Sequence, residues 1–289
     1  MEHPCDVSTK KLSIMNSSGE NLAGILHDTG SKDLVILCHG LTASKDFRLL
    51  VSLAKTLSNA GLSTFRFDFS GNGESEGKFE FGNYSKEISD LHDVVLYWMQ
   101  EGRLIKAILG HSKGGSTVLL YASKFKEVNM IINASGRLDL RTGLDKLFNK
   151  DFLDKIEARP LILKNSLGNV FHVTREDLMQ RLSTDVVAAV QTIPKEIRVL
   201  SVHGSEDELV DVENAIQCDS LIANHTLQII PQHKATPHSK RRSFLRGTSV
   251  ITDRGLQQTS KARNAELIDR EGRRRHSRGA SAHIPCPCH

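Results

Sequence analysis

The chain has 289 residues, a formal net charge of +4, 39% hydrophobic residues and 25% charged residues, a balance that excludes disorder over the whole length. No run approaches the roughly 18 apolar residues that a membrane helix requires. The segment Met1–Cys5 has neither the basic nor the apolar region of a secretion signal, and the five cysteines are few for this length. We therefore expect a cytoplasmic protein without a membrane span.

The charge is distributed unevenly along the chain. Residues 231–289 contain 13 Lys and Arg against 4 Asp and Glu, so this stretch carries +9, whereas residues 1–230 carry −5. The overall charge therefore describes neither part of the chain. The basic stretch holds a single aromatic residue, Phe244, for stacking on bases, which argues against a nucleic-acid partner.

Apolar stretches separated by glycines and polar turns predict a succession of short elements. Strands are predicted, in chain order, at residues 11–16, 21–27, 34–38, 62–67, 107–109, 128–132, 197–202 and 227–230. Helices are predicted at residues 47–57, 88–99, 113–125 and 213–222. Strands that alternate with helices are typical of a mostly parallel sheet with crossover helices, so the predicted fold class is α/β.

The segment 137–192 interrupts this alternation. We interpret it as a small cap inserted into one α/β domain that spans residues 1–230. The cap is rich in leucine and phenylalanine, including Leu144 and Phe148, which favours an apolar or aromatic ligand over a charged one.

The segment Gly110–Gly114, with the letters GHSKG, matches the pattern G-x-S-x-G between a predicted strand and a predicted helix. In that context a sharp turn lifts the hydroxyl of Ser112 clear of the sheet. Gly110 and Gly114 must be small so that the strand and the helix can approach each other. The pattern alone is common by chance, and its position after a strand is what favours a nucleophile.

Two further strand ends carry polar or glycine turns. His39 and Gly40 follow the apolar strand at 34–38, and this turn can present the backbone N–H of Leu41 to a carbonyl oxygen. The backbone N–H of Lys113 would be the second donor of such an oxyanion hole. Asp207 follows a late strand, where its carboxylate can orient a histidine.

A glycine-rich segment begins at Asp68, with the letters DFSGNGES. It lacks the Lys-Ser/Thr pair of a phosphate-binding loop, and its glycine spacing does not fit a dinucleotide fingerprint. We interpret it as a tight structural loop beside the site. No metal and no organic cofactor is expected.

Together, the segments 38–40, 68–75, 110–115 and 203–207 resemble the α/β-hydrolase superfamily. The chain is most similar to the serine-aminopeptidase-type branch, which includes monoglyceride lipases and cinnamoyl or feruloyl esterases. The resemblance covers roughly residues 10–230 and is specific for the fold rather than for the substrate. It implies a serine esterase or acyl hydrolase that acts on a small acyl ester, with a serine peptidase as the alternative.

The resemblance also implies the chain order serine, acid, histidine, with Ser112 as the nucleophile and Asp207 as the orienting acid. The histidine should lie after the last strand, but the family's Asp-His pair is missing there. His233 is the preferred candidate and His238 the alternative. A non-catalytic binder that lacks a competent histidine is the remaining alternative.

The apolar periodicity ends at Pro231, where the family's histidine motif is expected. We hypothesise that residues 231–289 are a low-order basic tail produced by an altered reading frame, a retained intron or a gene-model error. The sequence carries no indication of the oligomeric state.

Overall fold

The computed structural model describes residues 7–165 and 167–231. Its strands are β1 Ser8–Met15, β2 Asn21–Asp28, β3 Asp33–Cys38, β4 Ser63–Phe67, β5 Leu104–His111, β6 Met130–Ala134, β7 Leu161–Lys164, β8 Val170–Val173, β9 Arg198–Gly204 and β10 His225–Ile230. Its helices are α1 Arg48–Asn59, α2 Tyr84–Gln100, α3 Lys113–Lys124, α4 Leu144–Phe148, α5 Phe152–Ala158, α6 Arg175–Ser183, α7 Val186–Gln191 and α8 Glu213–Leu221. Among these helices none has the length and apolar character needed to cross a membrane.

Eight strands form one sheet in the order β1-β2-β4-β3-β5-β6-β9-β10. β1 and β2 pair antiparallel at one side, and β2 also runs antiparallel to β4. The other neighbouring pairs are parallel, from β4 through β10. The predicted α/β class with a mostly parallel sheet is confirmed. The carboxyl ends of the parallel strands meet at one edge, where ligand sites of such sheets lie.

Both faces of the sheet are covered, which explains why its central strands are continuous apolar runs. Successive side chains of β3 point to opposite faces of the sheet. Ile36 packs on one face with Leu91 of α2 and Val118 of α3, whereas Leu37 packs on the other face with Leu53 of α1.

The segment predicted to be the cap forms its own small layer. Helices α4 to α6 and the antiparallel β7–β8 hairpin enclose a third hydrophobic cluster. Its buried members are Phe81, Leu144, Phe148, Ile156, Leu161, Leu163, Val173 and Leu178. Near the end of the same segment, Val186 and Val190 of α7 instead join the main core beside α3.

Candidate active site

Turns after β3, β5 and β9 place Leu41, Ser112 and Asp207 at the carboxyl edge of the sheet. β3 and β5 are direct neighbours, with Cys38 paired to Gly110. Two strands further along the sheet, β9 carries the turn with Asp207. Parallel pairing therefore gathers residues that are far apart in sequence.

Ser112 has the backbone of a strained turn, with φ +54° and ψ −117°. A non-glycine residue with positive φ is uncommon and costs about 1–3 kcal/mol, so the surrounding structure must impose it. The N–H of Ser112 donates to the backbone oxygen of Ala134 on β6 at 2.8 Å, and α3 begins at the next residue. The side chain is partly exposed at this corner. This is the geometry that presents a serine hydroxyl as a nucleophile.

Close backbone approach around this turn requires glycine. A Cβ on Gly40 would lie 3.1 Å from the Cβ of Ser112, and a Cβ on Gly114 would collide with the backbone oxygen of His39. A Cβ on Gly110 would collide with the backbone of Gly114. The loop after β3 and the first turn of α3 are therefore in contact, as an oxyanion hole built from both would require.

The two candidate oxyanion donors flank the serine turn. Leu41 is partly buried and packs against the cap cluster, and the following residue, Thr42, has a positive φ of 54°. Lys113 follows Ser112 and is the first residue of α3. Its N–H is one of the helix N-terminal groups that cannot bond within the helix, so it can serve an anion.

His39 has a structural role in this geometry. Its Nε2 accepts a hydrogen bond from the N–H of Phe69 at 3.1 Å, so Nδ1 carries the proton and donates to the oxygen of Gly40 at 2.8 Å. Burial lowers the pKa of this imidazole from its usual value, although hydrogen bonding to Gly40 and the charge of Asp68 act in the opposite direction. Neutral His39 thus ties the loop after β3 to the loop after β4.

Asp68 is fully buried and anchors the same two loops. It accepts hydrogen bonds from the N–H of Lys45, the Lys45 ammonium at 3.0 Å, and the N–H of Glu74 at 2.9 Å. Lys45 also pairs with Glu74. Burial opposes the charge on Lys45, but the carboxylates of Glu74 and Asp68 outweigh it and raise its pKa. The glycine-rich loop is therefore a structural support beside the site.

Asp207 is held as an orienting acid would be. Its Oδ1 accepts hydrogen bonds from the N–H groups of Leu209 at 2.9 Å and Val210 at 3.0 Å. Its Oδ2 lies 3.7 Å from Nε2 of His203, which donates to the oxygen of Val210 at 2.8 Å. Both backbone donors bind Oδ1, so they fix the carboxylate without using Oδ2.

The candidate histidines His233 and His238 lie outside the described residues, so the placement of the general base stays a prediction. Within residues 7–165 and 167–231, no histidine is hydrogen-bonded to Ser112. His111 precedes Ser112, and burial lowers the pKa of His111 to about 4, against the opposing charge of Asp207. His111 is therefore neutral near pH 7.

A second chain of serine, histidine and aspartate joins β9 to β10, the last strand of the sheet. Nδ1 of His225 is 2.8 Å from Oδ1 of Asp219, and Nε2 of His225 is 2.8 Å from Oγ of Ser201. Ser201 is 0% exposed within β9, and Asn133 also donates to its Oγ. No substrate can reach this hydroxyl, so the set stabilises the β9–β10 pair. His225 lies at the start of β10, away from the site edge.

The sequence analysis did not predict several buried charged side chains near the site, among them Lys45, Glu87 and Arg181. Arg181 of α6 donates to the hydroxyl of Tyr84 at 2.8 Å and to the oxygen of Leu140 at 3.1 Å, which ties the cap to α2. Nothing in the local pattern identifies these residues, because their buried partners lie 20 or more positions away. Over the described part of the chain, no group of metal-ligating side chains is present.

The fold and the strained serine turn define this chain as an α/β hydrolase. Residues 29–185, more than half of the chain, match the family described as serine aminopeptidase, S33, and the chain belongs to this family. A comparison with curated protein sequences gives no match.

Solved structures share the same fold. Est1E from Butyrivibrio proteoclasticus, solved with bound ferulic acid, is 23% identical, with a TM-score of 0.64 over 86% of this chain and 99% of Est1E. The α/β hydrolase GrgF from Penicillium sp. sh18 is 19% identical, with a TM-score of 0.67 over 87% of this chain and 100% of GrgF. An esterase from Pyrococcus furiosus is 20% identical, with a TM-score of 0.61 over 87% of this chain and 94% of the esterase. At these identities the likeness shows the fold.

Proposed function

We propose that this chain is a serine hydrolase that cleaves carboxylic esters. The observation that carries the proposal is the strained, partly exposed Ser112 between two candidate oxyanion donors, Leu41 and Lys113. Nucleophilic serine chemistry needs this exposed turn, because the attacking oxygen must reach a carbonyl carbon above the sheet. Membership of a hydrolase family and the esterases among the similar folds support the same reaction class.

The proposed reaction has two steps. The Oγ of Ser112 attacks the ester carbonyl, while a histidine takes the hydroxyl proton and passes it to the leaving alcohol. Water then attacks the acyl-enzyme by the same route in reverse. The N–H groups of Leu41 and Lys113 stabilise the negative oxygen of each tetrahedral intermediate.

Asp207 is proposed to orient the histidine through its Oδ2. His233 is the preferred base and His238 the alternative, because both follow β10, next to the strand that carries Asp207. Replacing Asp207 with Asn would keep the shape but leave the imidazole without its charged partner. Asp211 lies in the same loop and bonds only the start of α8, so Asp211→Asn is the matched control.

The cap is proposed to hold the acyl group. Leu41, Phe79 and Phe171 pack against the cap cluster, and the rings of Phe79 and Phe171 lie 4.7 Å apart. An apolar or aromatic acyl group that packs on this surface would be removed from water. This would stabilise the bound state by about 25 cal/mol per Å² of apolar area buried. A small, uncharged acyl ester is therefore the proposed substrate class.

A serine peptidase is the second candidate function, and the family description as serine aminopeptidase favours it. The two reactions share every step except the leaving group. An ester releases an alcohol, whereas a peptide releases an amine that must be protonated before it departs. Comparing p-nitrophenyl butyrate with the corresponding anilide separates them.

The experiment is hydrolysis of p-nitrophenyl butyrate by the full chain, with Ser112→Ala as the variant and Ser123→Ala, later in α3, as the control. The proposal expects turnover that Ser112→Ala reduces by roughly a thousand-fold or more and Ser123→Ala leaves unchanged. His233→Ala and His238→Ala identify the base by the larger loss. No turnover in a folded preparation would instead support a non-catalytic binder.

A further inference from the structure

We infer that Glu87 is a positioning residue for the oxyanion hole and that it acts through the side chain of Lys113. The inference rests on the proposed function, because it concerns the N–H group proposed to stabilise the intermediate. Glu87 lies on α2 and contacts neither Ser112 nor the loop after β3 by hydrogen bonds. It forms an ion pair with the residue that follows the nucleophile.

The ion pair is short and buried. The Nζ of Lys113 lies 2.7 Å from Oε1 of Glu87, and the two residues are 6% and 8% exposed. The same ammonium lies 3.3 Å from the backbone oxygen of Glu80 and 5.1 Å from the centre of the Tyr84 ring. The first residue of α3 is thus fastened to the N-terminal part of α2 by several contacts at once.

Glu87 also reaches the next turn of α3. The hydroxyl of Thr117 lies 2.8 Å from Oε2 of Glu87 and 3.0 Å from the backbone oxygen of Lys113. One carboxylate therefore contacts the next turn of α3, at Thr117, as well as the first turn, at Lys113. The direction of the Lys113 N–H depends on the orientation of that turn.

A lysine at this position is not explained by helix stability. The N-terminus of a helix carries partial positive charge, so a cation in the first turn is unfavourable, and α3 has no acidic residue there. Burying an ion pair is also costly unless its geometry is well satisfied. The pair therefore has another role, and its contacts indicate that it holds the serine turn against α2.

The test compares Glu87→Gln with the double variant Glu87→Gln/Lys113→Met, in which neither charge remains. A fluorophosphonate titrates the active sites, so that kcat is expressed per reactive serine. We expect Glu87→Gln to lower kcat for p-nitrophenyl butyrate about tenfold, with KM changed less than twofold. Complete loss of one oxyanion donor lowers kcat about a hundred-fold or more, and displacement of the Lys113 N–H should lower it less. The double variant should stay about as slow as Glu87→Gln, since it too lacks the ion pair that holds the turn against α2.

Asp28→Asn is the matched control. It breaks the part-buried ion pair between Oδ2 of Asp28 and Nη2 of Arg103, which are 2.8 Å apart. This pair lies at the edge of the sheet opposite the candidate site. This control should lower the melting temperature without changing kcat per site. A Glu87→Gln protein with unchanged kcat per site, or a double variant that recovers the wild-type kcat per site, would overturn the inference.

A second readout keeps the inference separate from the proposed function. If the wild-type serine is not titrated, the proposed function fails, and amide hydrogen exchange at Ser116, whose N–H donates to the backbone oxygen of Ser112 at 3.2 Å, then decides the inference. Glu87→Gln should speed exchange at this amide several-fold relative to Ser123, and the double variant should do the same. Equal exchange in all three proteins would overturn it.

Discussion

Asn165, in the turn between β7 and β8, donates a hydrogen bond from its Nδ2 to the backbone oxygen of Thr42 at 3.1 Å. Thr42 is the positive-φ residue that follows Leu41, so the cap contacts the loop that carries a candidate oxyanion donor. The Oδ1 of Asn165 accepts from the N–H groups of Leu167 and Asn169 and shapes its own turn. This side chain thus joins the cap hairpin to the loop after β3.

Asn165→Asp should lower kcat/KM for the ester by about three- to tenfold. The carboxylate keeps the acceptor that shapes the turn but places an oxygen against the Thr42 carbonyl in place of a donor, and one hydrogen bond contributes about 1 kcal/mol. Steady-state kinetics measure the change. Asn169→Ala, in the same turn, is the control, and equal rates in both variants would show that the contact does not position the loop.

Phe171→Ala should change the acyl selectivity more than the rate with a small acyl group. Removing this ring takes away apolar contact from the proposed acyl surface, which typically changes discrimination by about 1–3 kcal/mol. The ratio of kcat/KM for aryl-acyl and acetyl esters is the measurement, and we expect it to fall about tenfold or more. Phe125→Ala is the control, since Phe125 stacks on His92 at the far end of α3. An unchanged ratio would place the acyl group elsewhere.

The free energy of unfolding should fall as the pH is lowered from 6.5 towards 4. Burial depresses the pKa of His39, His111 and His225 in the folded protein. Between pH 6.5 and 4 the unfolded chain therefore binds more protons than the folded chain does. The stability that is present above pH 6.5 is lost as the pH falls through this range. For His111, with a folded pKa of about 4, the loss reaches roughly 3 kcal/mol.

Urea unfolding at pH 7 and pH 5 measures this dependence, and His111→Asn should show a shallower one. A stability that is the same at both pH values would contradict the neutral, buried state of these histidines.

Lys45→Met should destabilise the fold by about 3–5 kcal/mol, because it leaves the carboxylate of Asp68 buried without its partner. Lys10→Met removes a surface lysine that is 64% exposed and 4.0 Å from Asp28, and should cost less than about 1 kcal/mol. Denaturant midpoints of the two variants measure the difference. Comparable losses in both would mean that the Lys45–Asp68 pair does not hold the loops together.

Much of the fold could be predicted from local pattern. The apolar run at 34–38 and the strand–turn–helix context of Ser112 identify the central strands and the serine turn, because both signals lie within a few residues. Neither strand of the cap hairpin was predicted, because β7 and β8 have only four residues each and β8 buries a single residue, Val173.

The contacts that position the site could not be predicted in the same way. Lys113 and Glu87 are 26 positions apart, Lys45 and Asp68 are 23 apart, and Arg181 and Tyr84 are 97 apart. Charged side chains are usually exposed, so the sequence alone gives no sign that these are buried. Only the folded packing of α2, α3 and the cap brings them against buried partners. The histidine depends on residues beyond 231, so it stays a prediction.

The most direct test of the central claim is the identity of the residue modified by a fluorophosphonate in the folded full chain. Peptide mass spectrometry of the labelled protein locates the adduct. The proposed serine hydrolase predicts one adduct, on Ser112, that is absent from Ser112→Ala. Labelling of a different residue, or no labelling of a folded preparation, would contradict the claim.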